Sequence, residues 1–158
     1  MLQNDVSGAT RQEPEETMRD RAIADLVHLR NPVTLPPDAT VQQACEAMRA
    51  HRIGCVLVTD QAGRLLGIFT GRDAVCRIGA ECRSPATTRL EEVMTRNPVA
   101  LPPGAHALEA LRLMQDGGFR HVPLVREGVL VGVVSRGDFR AVEHARLNEE
   151  TGLWETMR

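Results

Sequence analysis

The stretch RNPVTLPPDA, residues 30–39, returns sixty-six positions later as RNPVALPPGA, residues 96–105. Eight of the ten residues are identical, three of them prolines, and only Thr34/Ala100 and Asp38/Gly104 differ. Agreement of that kind marks an internal duplication, and a repeat constrains the fold more than any local propensity. At the same offset Ala44 meets Ala110, Met48 meets Met114 and Val56 meets Val122. One residue is then lost from the second copy, after which Leu65 meets Leu130, Gly67 meets Gly132 and Asp73 meets Asp138.

Within each copy the hydrophobic period changes. The proline-rich phrase predicts a short extended piece, because residues before proline avoid the helical region and proline cannot donate to a ladder. Val41, Ala44, Cys45 and Met48 then recur at helical spacing, as do Ala107, Leu108, Leu111 and Met114, with Gly117-Gly118 as a stop. Two apolar runs follow, CVLV and RLLGIFT around the turn DQAG, then HVPLV and VLVGVVS around REG. A further helix is expected after Asp73 and after Asp138. The predicted fold is therefore α+β (α/β in the broad sense): two β-α-β-β-α repeats packed by pseudo-twofold symmetry into one module. Neither copy is large enough to bury a comfortable core alone.

The expected divisions are a flexible tail at 1–13, a leading helix at 14–26, repeat 1 at 27–80, a linker at 81–92, repeat 2 at 93–145 and a C-terminal tail at 146–158. Phe139, Val142 and Leu147 continue a helical stripe into that tail, and Leu153, Trp154 and Met157 form an apolar patch there. Three Phe, one Trp and no Tyr leave few faces for stacking single-stranded nucleic acid. A net charge of −2 gives no general attraction to nucleic acid or to anionic membranes. No apolar run approaches the ~20 residues of a membrane helix, and the first residues carry no apolar signal segment, so a cytoplasmic location is expected. The four cysteines form no CxxC pair, and they are expected to be reduced and to pack as small buried hydrophobes. A redox or metal role for them, including His51 with Cys55, is the weakest of the readings.

The phrases GIFTGRD (67–73) and GVVSRGD (132–138), following IGCVLV and FRHVPLV in a duplicated unit, resemble the cystathionine β-synthase (CBS) domain, and two such units resemble a CBS pair, or Bateman module. The resemblance covers residues ~24–145. It implies adenosine ligands in the cleft between the repeats, with Asp on the ribose hydroxyls and Thr or Ser near phosphate. Carried over, it names Thr70 with Asp73 and Ser135 with Asp138. It also names Val33, Val99, Ile53 and Phe119 as flanks of the adenine, and Arg120 and His121 as phosphate contacts. Arg72 and Arg136, inside the two turns, add charge. The bland reading of TxxD and SxxD is a capping box that satisfies orphan N–H groups, and that of the apolar residues is core packing.

Gly54-Cys55 stands in the first copy where the second has Arg120-His121, so one strong and one weak site are expected, with Asp138 mattering more than Asp73. No nucleophile, base and acid stand at motif spacing, nor does a phosphate loop, so a binding module and not an enzyme is expected. The leading reading is a free-standing regulatory protein without a catalytic cofactor. It would bind an adenine nucleotide, AMP first, with ATP, ADP, NAD or S-adenosylmethionine as alternatives. It would dimerise with itself and signal energy or nucleotide state to an effector protein in trans, with no nucleic-acid or membrane partner. The alternative is a structural, protein-interaction dimer whose ligand cleft is vestigial.

Overall fold

The structure, a computed structural model, describes residues 22–26 and 31–139. Strand β1 (Thr34–Leu35) is short because Pro36 and Pro37 end it, and the Ala39 N–H closes the turn on the Pro36 carbonyl at 3.1 Å. Thr40 then caps α2 (Val41–His51). Its hydroxyl accepts from the Gln43 N–H at 3.2 Å, and Gln43 Oε1 accepts from the Thr40 N–H at 2.9 Å. This reciprocal cap satisfies two donors that the helix leaves unpaired. The helical stripe buries Val41, Ala44 and Met48.

Strand β2 (Cys55–Thr59) runs parallel to β1 and antiparallel to β3 (Leu65–Thr70). Its unbroken apolar run follows from burial on both faces. Val56 and Val58 join Phe69 against α2, while Cys55, Leu57 and Ile68 form a second layer with Leu130 and Val133 of the other repeat. Thr70 caps α3 (Gly71–Asp73), which continues as a π-helical segment, Ala74–Gly79. The helix thus begins before Asp73, not after it.

The second repeat follows the same plan. Helix α5 (Ala107–Gly117) buries Ala107, Ala110 and Met114, and β5 (His121–Arg126) pairs antiparallel with β6 (Val129–Ser135). Glu127 and Gly128 make the intervening turn with φ of 51° and 82°. Helical structure resumes at residues 136–139. The first strand is reduced to one parallel bridge, Leu101 with Leu124.

The pieces before each repeat cross over. Helix α4 (Leu90–Val93), which begins inside the stretch read as a linker, seals the first core: Leu90 N–H donates to Ala39 O at 2.8 Å and Glu91 N–H to Pro37 O at 2.9 Å. Strand β4 (Thr95–Arg96) joins β3 of the same sheet. Reciprocally, α1 (Ile23–Leu26) seals the second core, with Ile23 N–H on Ala105 O at 2.9 Å and Ala24 N–H on Pro103 O at 3.3 Å. Ile23 and Leu90 are both fully buried, each in the core of the repeat it does not precede. The hairpin tips complete the join, Leu65 N–H to Gly128 O at 3.3 Å and Leu130 N–H to Gly63 O at 3.0 Å.

All four cysteines are free. Cys55 is buried and Cys45 half-buried, but Cys76 and Cys82 are exposed, so the expectation of buried thiols fails for those two. Cys76 faces solvent from the π-helical segment, and Cys82 sits in the turn after it at φ 52°. Phe139 is buried in the second core. The two tails, most of the leading helix, and Val142, Leu147, Leu153, Trp154 and Met157 lie outside the described residues.

Candidate functional site

A cleft of about 860 Å³ lies where the first-repeat helix start meets the second repeat. The first repeat supplies Gly54, Ile68, Thr70, Gly71, Arg72, Asp73 and Arg77. The second repeat and the approach to it supply Thr95, Asn97, Pro98, Val99, Gly117, Gly118, Phe119, Arg120, His121, Ser135, Arg136 and Gly137. Nine of the twelve expected residues therefore share one cleft: Thr70, Arg72, Asp73, Val99, Phe119, Arg120, His121, Ser135 and Arg136. Val33, Ile53 and Asp138 do not line it. Val33 and Ile53 pack instead against the first core. The expected ranking of Asp138 above Asp73 does not follow from this placement, since Asp73 is the aspartate that lines the cleft.

Both aspartates act as helix caps. Asp73 Oδ2 accepts from Thr70 N–H at 2.9 Å and from Thr70 Oγ1 at 3.0 Å, while Asp73 N–H donates to Thr70 Oγ1 at 3.3 Å. Asp138 Oδ2 accepts from Ser135 N–H at 2.7 Å and from Ser135 Oγ at 2.9 Å. The bland reading of the two motifs thus describes what one carboxylate oxygen of each does. Asp73 Oδ1 lies 3.5 Å from Arg77 Nε, one helical turn on. The residue four positions beyond Asp138 is Val142, which has no charge to offer.

Charge in the cleft is one-sided. Among the described residues, Arg72, Arg77, Arg120 and Arg136 line it against the single carboxylate of Asp73, an arrangement that attracts anions in a chain whose net charge is −2. Arg72 also ties the repeats together, donating to the carbonyl of Gly118 at 3.4 Å. The His121 ring rests on Gly54, where an added Cβ would stand 3.0 Å from Cε1. Burial first, and the Arg120 charge second, hold the His121 pKa below its ordinary value, with Asp138 pulling the other way. At the equivalent place in the first repeat, burial pushes the Cys55 thiol up to about 12, which keeps it protonated. Among the described residues no group of three or more His, Cys, Asp or Glu side chains is placed to hold a metal, and no helix is long and apolar enough to cross a membrane.

A profile of the CBS domain matches residues 23–79 and 90–144. The chain belongs to the CBS domain family. Its CBS pair is 39% identical over 115 residues to CBS domain-containing protein CBSCBSPB3 of Arabidopsis thaliana, covering 73% of this chain and 20% of that protein. The chain thus spans about a fifth of the length of that curated relative. It is 34% identical over 119 residues to CBS domain-containing protein YhcV of Bacillus subtilis, covering 75% of this chain and 82% of the relative. Among solved structures, the CBS-domain containing protein ATU1752 from Agrobacterium tumefaciens superposes with a TM-score of 0.72 at 34% identity, covering 78% of this chain and 99% of that one.

Ten cleft residues of this CBS pair lie outside the expected set, and three of them, Arg77, Asn97 and Pro98, carried a signal in the sequence. Arg77 was signalled by its i,i+4 spacing from Asp73. Asn97 and Pro98 belong to the duplicated phrase itself. Asn97 adopts φ 46° and donates its N–H to Leu66 O at 3.2 Å, which bends the chain into the cleft. Asn tolerates that left-handed conformation better than most residues, and this was the available signal.

Proposed function

We propose that this CBS pair is a regulatory binding module, not an enzyme, that takes an adenine nucleotide into the cleft between its repeats and reports nucleotide state to a partner protein. One observation carries the reading: the Thr70–Asp73 helix start of one repeat and Val99, Phe119, Arg120 and His121 of the other line the same cationic cleft. A helix start offers N–H groups to phosphate, arginines add charge-assisted bonds, and an aspartate suits a ribose diol. Signalling follows if the nucleotide binds one arrangement of the repeats better than another, and the Arg72–Gly118 contact spans them. Four free thiols suit a reducing compartment, the cytoplasm. We take the segment carrying Val75, which is 68% exposed, as the face on which two copies associate.

The second reading, a protein-interaction dimer with a vestigial cleft, draws on the caps. Asp73 and Asp138 are already bonded by their own Thr and Ser, and Arg72 by a carbonyl. Thermal unfolding with AMP, ADP, ATP, NAD and S-adenosylmethionine separates the two. A ligand at 100 times its Kd stabilises by ~2.7 kcal/mol, and that is the expected result for at least one adenine nucleotide. No shift with any of the five would leave the vestigial reading standing.

A further inference from the structure

Gly117 ends helix α5, where alanine is ordinarily the better helix former. Its backbone does not require glycine: the left-handed residue is its neighbour Gly118, at φ 66°. What Gly117 lacks is room for a side chain. A Cβ built there would overlap Cε1 of the Phe119 ring and stand 2.6 Å from Cδ1 and 3.0 Å from Cζ. The ring is therefore laid across the bare Cα of Gly117, packed on the second core and lining the cleft. The first repeat has His51, Arg52 and Ile53 at the three equivalent positions, and Ile53 packs against its own core, away from the cleft. The two glycines and the aromatic ring are thus one device, present in one repeat only.

We infer that Gly117 is a positioning residue for ligand specificity: it seats Phe119 as a stacking face for the planar base of a nucleotide. This rests on the nucleotide reading above and deepens it. The work of recognition is divided, with Arg72, Arg120 and Arg136 acting on phosphate and Phe119 on the base. The three atoms nearest to a Cβ at Gly117 all belong to the Phe119 ring, so a side chain there displaces the ring first.

Two probes isolate the two contributions, ATP and inorganic tripolyphosphate, which carries the anion without the base. Titration calorimetry on the full chain should show Gly117→Ala losing ATP affinity by about tenfold or more, the scale of one base–aromatic stack. Tripolyphosphate affinity should stay within about twofold, the scatter of independent sites. Phe119→Leu, which leaves the helix end intact, should give the same pattern, and adding Gly117→Ala to it should cost no further affinity. The inference is overturned if Gly117→Ala binds ATP as the wild type does, if tripolyphosphate weakens in step with ATP, or if Gly117→Ala still costs affinity beside Phe119→Leu. A wild-type chain that binds none of the five ligands named above sinks the nucleotide reading itself, and this inference with it; one that binds AMP but not ATP puts the same comparison on AMP against inorganic phosphate.

Discussion

Val33 and Val99 occupy the same place in two copies of one phrase, yet they end in different surroundings. Val33 packs against the first core, and its carbonyl accepts the Leu57 N–H at 3.0 Å. Val99 is 49% exposed and lines the cleft. The phrases cannot explain the difference, since eight of their ten residues agree. The residue facing them can. Leu57 in the first repeat is Pro123 in the second, and proline has no N–H to give. The first strand of repeat 2 consequently shrinks to the Leu101–Leu124 bridge, and the segment before it is left to border the cleft. One lost donor on a neighbouring strand decides which copy of the phrase serves the site.

If the halves differ in their sites but share one scaffold, their cores should fail together. Phe69 is the largest fully buried side chain among the described residues, and Phe69→Ala should cost ~3–5 kcal/mol. Because α1 and α4 cross between the cores, the loss should lower one cooperative transition. Calorimetry should show a single peak, and amide exchange at Val122 and Leu124 should speed up along with that at Val56 and Val58. A second peak, or protection retained at Val122 and Leu124, would mean that the crossover does not couple the halves.

The aspartates sharpen the comparison at the site. Asparagine keeps an oxygen for the cap but removes the charge. Asp73→Asn should therefore lose most of the ~2.7 kcal/mol that a saturating adenine nucleotide adds, and Asp138→Asn should lose little. Ligand-induced thermal shifts of the two variants decide this. Equal losses would point to a second site around Ser135 and Asp138, with Val33 and Ile53 as its wall.

Much of this was legible in the sequence because duplication is a long-range signal that survives local ambiguity. The repeat offset located both capped turns, and the 3.6 period of Val41, Ala44 and Met48 named the buried face of α2. What stayed hidden depended on pairing across distance. The exchange of Ile23 and Leu90 between cores has no local signature, since each is simply one apolar residue opening a short helix. The separation of Val33 from Val99 was written in Pro123, yet proline in HVPLV reads locally as nothing more than a strand irregularity. The cleft drew on both copies at once, so assigning Arg120 and His121 to one site and Gly54 to another divided residues that the fold brings into contact.

That contact yields the smallest of the expected effects and the most specific to one half. His121 and Cys55 are equivalent positions, but the Cys55 thiol, pushed up to about 12, stays protonated across neutral pH, whereas His121 is the one that gains a proton on acidification. Its folded pKa lies below the ordinary value because it is buried beside Arg120, with Arg72, Arg136 and Asp73 also on the cleft and Asp138 opposing the shift. The unfolded chain therefore binds the proton more readily. The stabilisation is fully present above the ordinary histidine value of about 6.5 and is lost as pH falls through the lower folded value. A phosphate in the cleft reverses the sign for binding: it favours the imidazolium, so nucleotide affinity should rise as pH falls over the same window. Unfolding free energies and ATP affinities measured from about pH 8 to about pH 5.5 should show the two opposed slopes, and His121→Gln should flatten both. An acid slope that survives in His121→Gln would assign the proton to another group. A wild-type affinity independent of pH would place the phosphate away from His121, on the arginines alone.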